Sequence, residues 1–404
     1  MKYFGTDGIR GVCGDGISEE MCFRAGLAAA SLNDRWVVAT DTRVSSVSYF
    51  DALASGIMRG GGVVYKVGIA PTPCVSFLCQ RGKMGGIMIS ASHNPPHYNG
   101  LKFFDSDGYK ISDEKSARIE NLIDNARLGV SMGKAVDYSQ GRGEYVDYLV
   151  SYGGDLKGKS VALDCAFGAA SCVAKEVFVR CGAKVSIFAD ALDGRRINCG
   201  VGAVYPSFIQ SLTKELGFAF DGDADRVAVV SKDIIDGDSV LYNLSRLLTP
   251  NGVVGTVMNN IALERALNAQ SIPFLRTDVG DRHISALMRK SGFTLGGEQS
   301  GHYIISPCRT GDGLLAALTL CKTKEITRLE LLPQKTTSVD GSKDGLASTR
   351  FVKAKSHCEE LLCGKGRLVV RMSGTEEKIR IMVESEDEQL TERVTDYLVD
   401  ALCR

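Results

Sequence analysis

The sequence has no excess of charge of either sign: 48 Lys and Arg residues balance 48 Asp and Glu. It has no long basic stripe and no acidic tail, so no nucleic-acid partner is expected. Long apolar runs are also missing. None approaches the ~20 residues that a membrane helix needs, and no membrane association is expected. The opening stretch MKYFGTDGIRG lacks the apolar segment of a secretory signal, which points to the cytoplasm. No C-x-x-C pair occurs, and the 13 cysteines are odd in number. This argues against a zinc or disulfide framework. It favours free thiols used as small hydrophobes in a reducing compartment.

What is present is the composition of an ordinary globular protein, 44% hydrophobic and 24% charged. At roughly 100–200 residues per domain, 404 residues suggest two to four domains. One order of elements returns three times. RWVVAT (35–40) reads as a strand. A helix follows with Phe50, Leu53, Ala54, Ile57 and Met58 on one face, stopped by the glycines at 60–62. GVVYKVGI and GGIMISA then read as strands. The second copy is SVALDCA, a helix through SCVAKEVFVRCG, AKVSIFA and GFAFDGDADR. The third is GVVGTVM, a helix carrying Leu263, Ala266 and Leu267, PFLRTDVG and GFTLGGEQSGH. Such units predict mixed α/β layers with largely parallel pairing.

The tail is different. RLVVRM and KIRIMVES read as strands, the second with Ile379, Ile381 and Val383 on one face. A helix follows with Leu390, Val394, Tyr397 and Leu398 together. The expectation is therefore an α/β protein of four domains, 1–153, 154–245, 246–334 and 335–404. The first three are similar mixed α/β units and the last is a small α+β domain. The polar loops SASHNP, DGDADR and GEQSGH each follow the last strand of a unit. Ligands in open α/β sheets sit outside strand ends, so these loops are placed to meet in a central cleft.

The loops suggest specific chemistry. Asp221, Asp223 and Asp225 lie two apart, which in an extended segment puts three carboxylates on one side. Like charges that close call for a cation, and hard oxygen donors suit Mg²⁺. An EF-hand is excluded, because Arg226 and Lys232 stand where that loop needs Gly and Glu. Ser92 lies in a loop that is either a polar turn or a reactive site. A nearby magnesium favours the second, with a phosphorylated serine as a further ligand. His93 and His97 have zinc-pair spacing, but Pro95 and Pro96 rule out the helix it would need. Lys102 is a candidate for stabilising transferred charge. Glu298 and Ser300, ahead of His302, are either a polar turn or a sugar-hydroxyl site. Arg371, Ser373, Gly374 and Thr375 are either a plain hairpin connection or an anion nest. The P-loop pattern is absent, so the nest would grip a phosphoester, not a nucleotide.

Together these loops make the chain resemble the α-D-phosphohexomutase superfamily nearly end to end. The matching stretches are FGTDGIRG (4–11), ISASHNP (89–95), FDGDADR (220–226), VGDR (279–282), GGEQSGH (296–302), TGDG (310–313) and R-x-SGTE (371–376). The resemblance implies a four-domain isomerase acting on phosphosugars, with Ser92 as phosphoserine. It implies Mg²⁺ held by Ser92, Asp221, Asp223 and Asp225. Arg10 and Lys102 would lie near the phosphoserine, and His302 would serve proton transfer. Glu298 and Ser300 would hold sugar hydroxyls. Arg371, Ser373, Gly374 and Thr375 would hold the distal phosphate. Gln299 in GEQSGH tips the expected substrate toward glucosamine phosphate, with glucosamine 1,6-bisphosphate as intermediate and activator. Mannose or glucose phosphate is the alternative. A monomer or homodimer is expected. Relatives often have proline where this chain has Met372 and Glu377, and asparagine where it has Phe167.

Overall fold

A computed structural model describes residues 2–5, 7–125, 132–214, 216–372 and 377–403. The first sheet contains β1 (Phe4–Gly5), β2 (Gly8–Val12), β3 (Arg35–Thr40), β4 (Val63–Ile69), β5 (Gly85–Ile89), β6 (Tyr98–Phe104) and β7 (Lys134–Asp137), in the order β1-β2-β6-β5-β3-β4-β7. The second contains β8 (Ser160–Asp164), β9 (Lys184–Phe188), β10 (Leu216–Phe220), β11 (Val227–Ser231) and β12 (Asp233–Ile235), ordered β12-β11-β10-β8-β9. The third is β14-β13-β15-β16, from β13 (Val253–Thr256), β14 (Phe274–Thr277), β15 (Leu295–Gly297) and β16 (Tyr303–Ile305). The fourth is antiparallel, β17-β19-β18, from β17 (Gln334–Asp340), β18 (Gly366–Met372) and β19 (Lys378–Ser385).

The first three sheets share a quartet: β6-β5-β3-β4, β11-β10-β8-β9 and β16-β15-β13-β14. In each quartet three strands run parallel and the fourth turns back antiparallel. Pairing is thus less parallel than the sequence suggested. The reversal is also what places the functional loops. Each polar loop joins the last parallel strand to its antiparallel neighbour: β5 to β6, β10 to β11 and β15 to β16.

Local sequence explains most elements. The helix Ser46–Arg59 buries Tyr49, Phe50, Leu53, Ala54 and Ile57 along one face, the spacing expected of an amphipathic helix. A helix the sequence reading passed over, Thr72–Gly82, lies between β4 and β5 and buries Cys74, Val75, Leu78 and Cys79. In the second unit the expected helix is divided, a 3₁₀ turn at Ala169–Cys172 preceding Ala174–Arg180. In the last unit Leu390, Val394 and Leu398 are buried, but Tyr397 is 51% exposed. Its ring sits at the helix edge, 5.9 Å from that of His357.

One apolar cluster runs through the first three units, from Val37 and Phe104 to Phe218 and Leu320. The helix Gly313–Leu320 is buried at every position and helps join them. The fourth unit has its own core around Phe351, Ile379, Ile381 and Leu398. The cysteines are free. Burial pushes the Cys22 and Cys321 thiols up to about 12, whereas Cys199, Cys363 and Cys403 are exposed. Among the described residues no helix is long and apolar enough to cross a membrane.

Candidate active site

The three quartet loops and the fourth sheet face one cavity of about 790 Å³. Its wall includes Arg10, His93 and Asn94 from the first unit and Asp225 and Arg226 from the second. Asp281, Glu298 and His302 come from the third, and Arg371 and Arg380 from the fourth. Ser92 is buried, and its Oγ donates to Asp221 Oδ2 at 2.6 Å. Its backbone is left-handed at φ +51°, an uncommon conformation for a residue other than glycine. The β10–β11 loop reaches it through Gly222. A Cβ there would stand 2.7 Å from the Ser92 carbonyl oxygen, so only glycine permits this approach.

The aspartate segment is a tight turn and not the extended run expected from its spacing, with Ala224 at φ +56°. The turn still converges the three carboxylates. One oxygen from each of Asp221, Asp223 and Asp225 lies within 4.8 Å of the others, and all three residues are buried. Lys102 Nζ, itself buried, donates to Asp223 Oδ2 at 2.7 Å and Asp225 Oδ2 at 2.8 Å. Asp223 Oδ1 and Asp225 Oδ1 are buried with no hydrogen-bond partner. Orphaned buried oxygens of this kind ask for a cation. The triplet plus the Ser92 oxygen is a hard donor set that fits a divalent ion such as Mg²⁺.

Charge follows from burial. Burial and then the neighbouring Asp225 and Asp223 charges raise the Asp221 pKa well above the usual carboxylate range. A bound cation offsets that repulsion. Burial opposes ionisation of Asp225 too, but Lys102, His302 and Arg226 outweigh it and hold its pKa well below the usual range. Burial works against the Lys102 ammonium, yet Asp223, Asp225 and Asp7 keep it charged. Arg10 Nη2 donates to Asp7 Oδ2 at 2.8 Å, and Lys110 joins Asp7 to Asp281.

His302 is buried against the TGDG stretch and touches the triplet from the other side. Its Nδ1 lies 3.8 Å from Asp225 Oδ1, and its Nε2 3.3 Å from Asp281 Oδ2. The Gly311 N–H donates to Nε2 at 2.9 Å, and a Cβ at Gly311 would strike the ring at 2.4 Å. Burial disfavours the imidazolium, but Asp281 and Asp225 raise the His302 pKa above its ordinary value. Glu298 faces the cavity, its pKa raised by burial. Ser300 is exposed and does not line the cavity wall. Gln299 turns away to donate to Asp238 Oδ2 at 2.7 Å. It therefore anchors the loop and lies off the wall.

On the fourth sheet Arg371 pairs across the ladder with Arg380, and both face the cavity. Among the described residues neither guanidinium has an ion pair. Two like charges directly opposite are unfavourable without an anion between them. Ser373, Gly374 and Thr375 lie outside the described residues. Arg380 and Arg226 escaped the sequence reading. The alternation of β19 put Arg380 opposite Ile379 and Ile381, and that was the available signal. Phe167 is left-handed at φ +53° and buried. The Arg196 guanidinium lies 4.0 Å from its ring centroid.

This geometry can be compared with known proteins. The model of phosphoglucomutase/phosphomannomutase α/β/α domain I matches residues 1–129, that of domain III residues 236–332, and that of the C-terminal domain residues 335–401. A phosphoglucosamine mutase of Streptococcus pneumoniae (strain 70585) is 39% identical, with 99% of this chain and 97% of that one aligned. The chain belongs to the α-D-phosphohexomutase superfamily. The fold agrees with solved structures of that superfamily. A phosphoglucomutase/phosphomannomutase family protein from Burkholderia thailandensis matches at TM-score 0.83 and 24% identity, covering 99% of this chain and 96% of that one. A putative phosphomannomutase from Thermus thermophilus matches at TM-score 0.77 and 22% identity, covering 99% of both.

Proposed function

We propose that the chain is a phosphoglucosamine mutase, an isomerase that interconverts glucosamine 6-phosphate and glucosamine 1-phosphate. The observation that carries the reading is the 2.6 Å contact of Ser92 Oγ with Asp221, inside the buried aspartate triplet and under the cavity. The full-length relative named phosphoglucosamine mutase supports the choice of sugar.

In this reading phospho-Ser92 transfers its phosphoryl group to O1 of the 6-phosphate. The P–Oγ bond breaks and a P–O1 bond forms, and His302 takes the O1 proton. The 1,6-bisphosphate turns over in the cavity, and its 6-phosphoryl returns to Ser92. Phosphoryl transfer is chiefly positioning and charge stabilisation. A Mg²⁺ held by Ser92, Asp221, Asp223 and Asp225 would supply Lewis-acid polarisation of the phosphoryl group. Lys102, kept cationic by its aspartates, and Arg10 offset the charge that develops on the equatorial oxygens. Glu298 accepts from sugar hydroxyls, while Ser300 of the same loop lies exposed and off the cavity wall. Arg371, with Ser373, Gly374 and Thr375 and now Arg380, grips whichever phosphate is distant. Those guanidiniums read charge, so they accept both orientations of the intermediate.

The test is Ser92→Ala with the bisphosphate as activator. Turnover is expected to fall by on the order of a thousandfold or more. Near-native turnover would remove the phosphoserine role. Comparing kcat/KM on the 6-phosphates of glucosamine, glucose and mannose tests the sugar.

A further inference from the structure

Arg43 was not singled out by the sequence, yet among the described residues it is the largest fully buried side chain. Its Nε donates to Asp41 Oδ2 at 2.9 Å. Its Nη2 donates to the carbonyls of Ser92 at 3.0 Å and Asn94 at 2.7 Å. Its Nη1 donates to those of Pro95 and Tyr98, the latter at 2.9 Å. A guanidinium has five N–H donors, and here every one has a named acceptor. Four of them hold one short loop.

Asp41 holds the same loop from its other side. Its Oδ2 accepts from Ser90 Oγ at 2.7 Å, and that oxygen accepts from the Ser92 N–H at 2.8 Å. Asn198, from the second unit, donates from Nδ2 to the Ser92 carbonyl at 2.8 Å and the Asn94 carbonyl at 3.0 Å. Both peptide groups flanking Ser92 are therefore fixed. That is how the left-handed backbone at Ser92 persists, since such strain survives only where its surroundings over-determine it.

We propose that Arg43, together with Asp41 and Asn198, is a positioning device for phosphoryl transfer, a carbonyl clamp that aims Ser92 Oγ at Asp221. The inference rests on the phosphoserine reading above and adds what orients that serine. Arg43 touches neither the sugar nor the phosphoryl group in this scheme. Its contribution is to geometry, and an ångström of misplacement at a reacting atom costs about a hundredfold in rate. Lysine at this position would keep the charge beside Asp41, but a single ammonium cannot reach four carbonyls in a planar fork.

The experiment compares wild type, Arg43→Lys and Asn198→Ala for steady-state conversion of glucosamine 6-phosphate, using glucosamine 1,6-bisphosphate as activator. Intact mass of each protein after the bisphosphate reports phosphate on Ser92. Arg43→Lys is expected to lose about a hundredfold in kcat. Its KM should stay within about threefold, because a misaimed nucleophile leaves ground-state binding intact. Asn198→Ala buries no new charge and is expected to lose about tenfold in kcat, also at near-constant KM. A folded Arg43→Lys with wild-type kcat, or one that loses only KM, overturns the clamp. If Arg43→Lys does not fold, wild-type kcat in Asn198→Ala overturns it. A wild type that neither acquires phosphate on Ser92 nor turns over refutes the mutase reading itself, and the clamp with it. A wild type that does both, beside unaffected variants, refutes the clamp alone.

Discussion

The two ends of the cavity are built on opposite plans. At the serine end the charged groups are buried and interlocked. Lys102 is shared by two aspartates, the buried Arg43 spends every donor on Asp41 and the Ser92 loop, and glycines at 222 and 311 permit close contacts between segments. At the arginine end Arg371 and Arg380 stand side by side on a small sheet with its own core. The difference matches what the proposed mutase reaction would ask of each end. Bond making needs fixed atoms, and a fixed site can be preorganised in a dry interior. Gripping the distant phosphate of a molecule that binds in two orientations needs charge with latitude.

That contrast can be broken by substitution. The largest effect is expected from Asp223→Asn, which takes an anionic donor from the triplet. Turnover should fall at least about a hundredfold and not recover when Mg²⁺ is raised, as read by steady-state assay. Chelation of wild type should match it, with recovery on adding Mg²⁺. Lys102→Met comes next. It leaves two buried carboxylates unopposed, a loss of about 3–5 kcal/mol in chelator by urea unfolding. Added Mg²⁺ should restore part of this, and a midpoint indifferent to Mg²⁺ would speak against a cation on these residues.

Arg371→Ala and Arg380→Ala should act on binding. A charge-assisted contact is worth about 1.5–3 kcal/mol, so KM should rise roughly ten- to a hundredfold with the melting temperature nearly unchanged. If either variant instead lost kcat alone, the division between the ends would fail.

A pH test sharpens the rigid end. Burial raises Asp312 to about 6, where it caps the helix Gly313–Leu320 through Leu315 N–H and accepts from Tyr145 Oη at 2.9 Å. An unfolded aspartate titrates near ~3.9. The native state therefore holds the proton more tightly, so this residue's stabilising contribution is present below pH ~4 and is lost as pH rises through about 6. Asp312→Asn can keep the cap and offer an amide to Tyr145. Unfolding midpoints of wild type and variant across that window should diverge as pH rises, with the variant the flatter of the two. The smallest effect is expected at Tyr397→Ser on the fourth unit. Its ring is 51% exposed, and thermal melting should show a change within about 0.5 kcal/mol.

The repeated order of strands was legible because hydrophobic runs and glycine stops are local. The chemistry loops were legible because their residues cluster in short motifs. The parallel-to-antiparallel reversal was not, since the pairing of β5 with β6 depends on contacts that a run of apolar residues does not encode. The turn at Asp221–Asp225 defeated the extended reading, yet the three carboxylates converge by another route. Arg43, Arg226 and Arg380 were missed as site residues for different reasons. Arg43 acts through partners far away in the chain, such as Tyr98, and Arg380 pairs with Arg371 across a ladder, whereas Arg226 acts on Asp225 and Asp221 beside it in its own motif. Gln299 gives the reverse case, a motif residue whose side chain serves Asp238.

Thiol chemistry offers a practical handle on motion between the two ends. Maleimide reacts with thiolate, and a sulfhydryl held near 12, as at Cys22 and Cys321, stays silent at neutral pH. Cys199 lies in the second unit and Cys363 in the fourth, both open to solvent. With Cys403→Ser to lower background, a donor dye on one and an acceptor on the other would report the separation of the unit with the aspartate triplet from the unit with Arg371 and Arg380 during turnover.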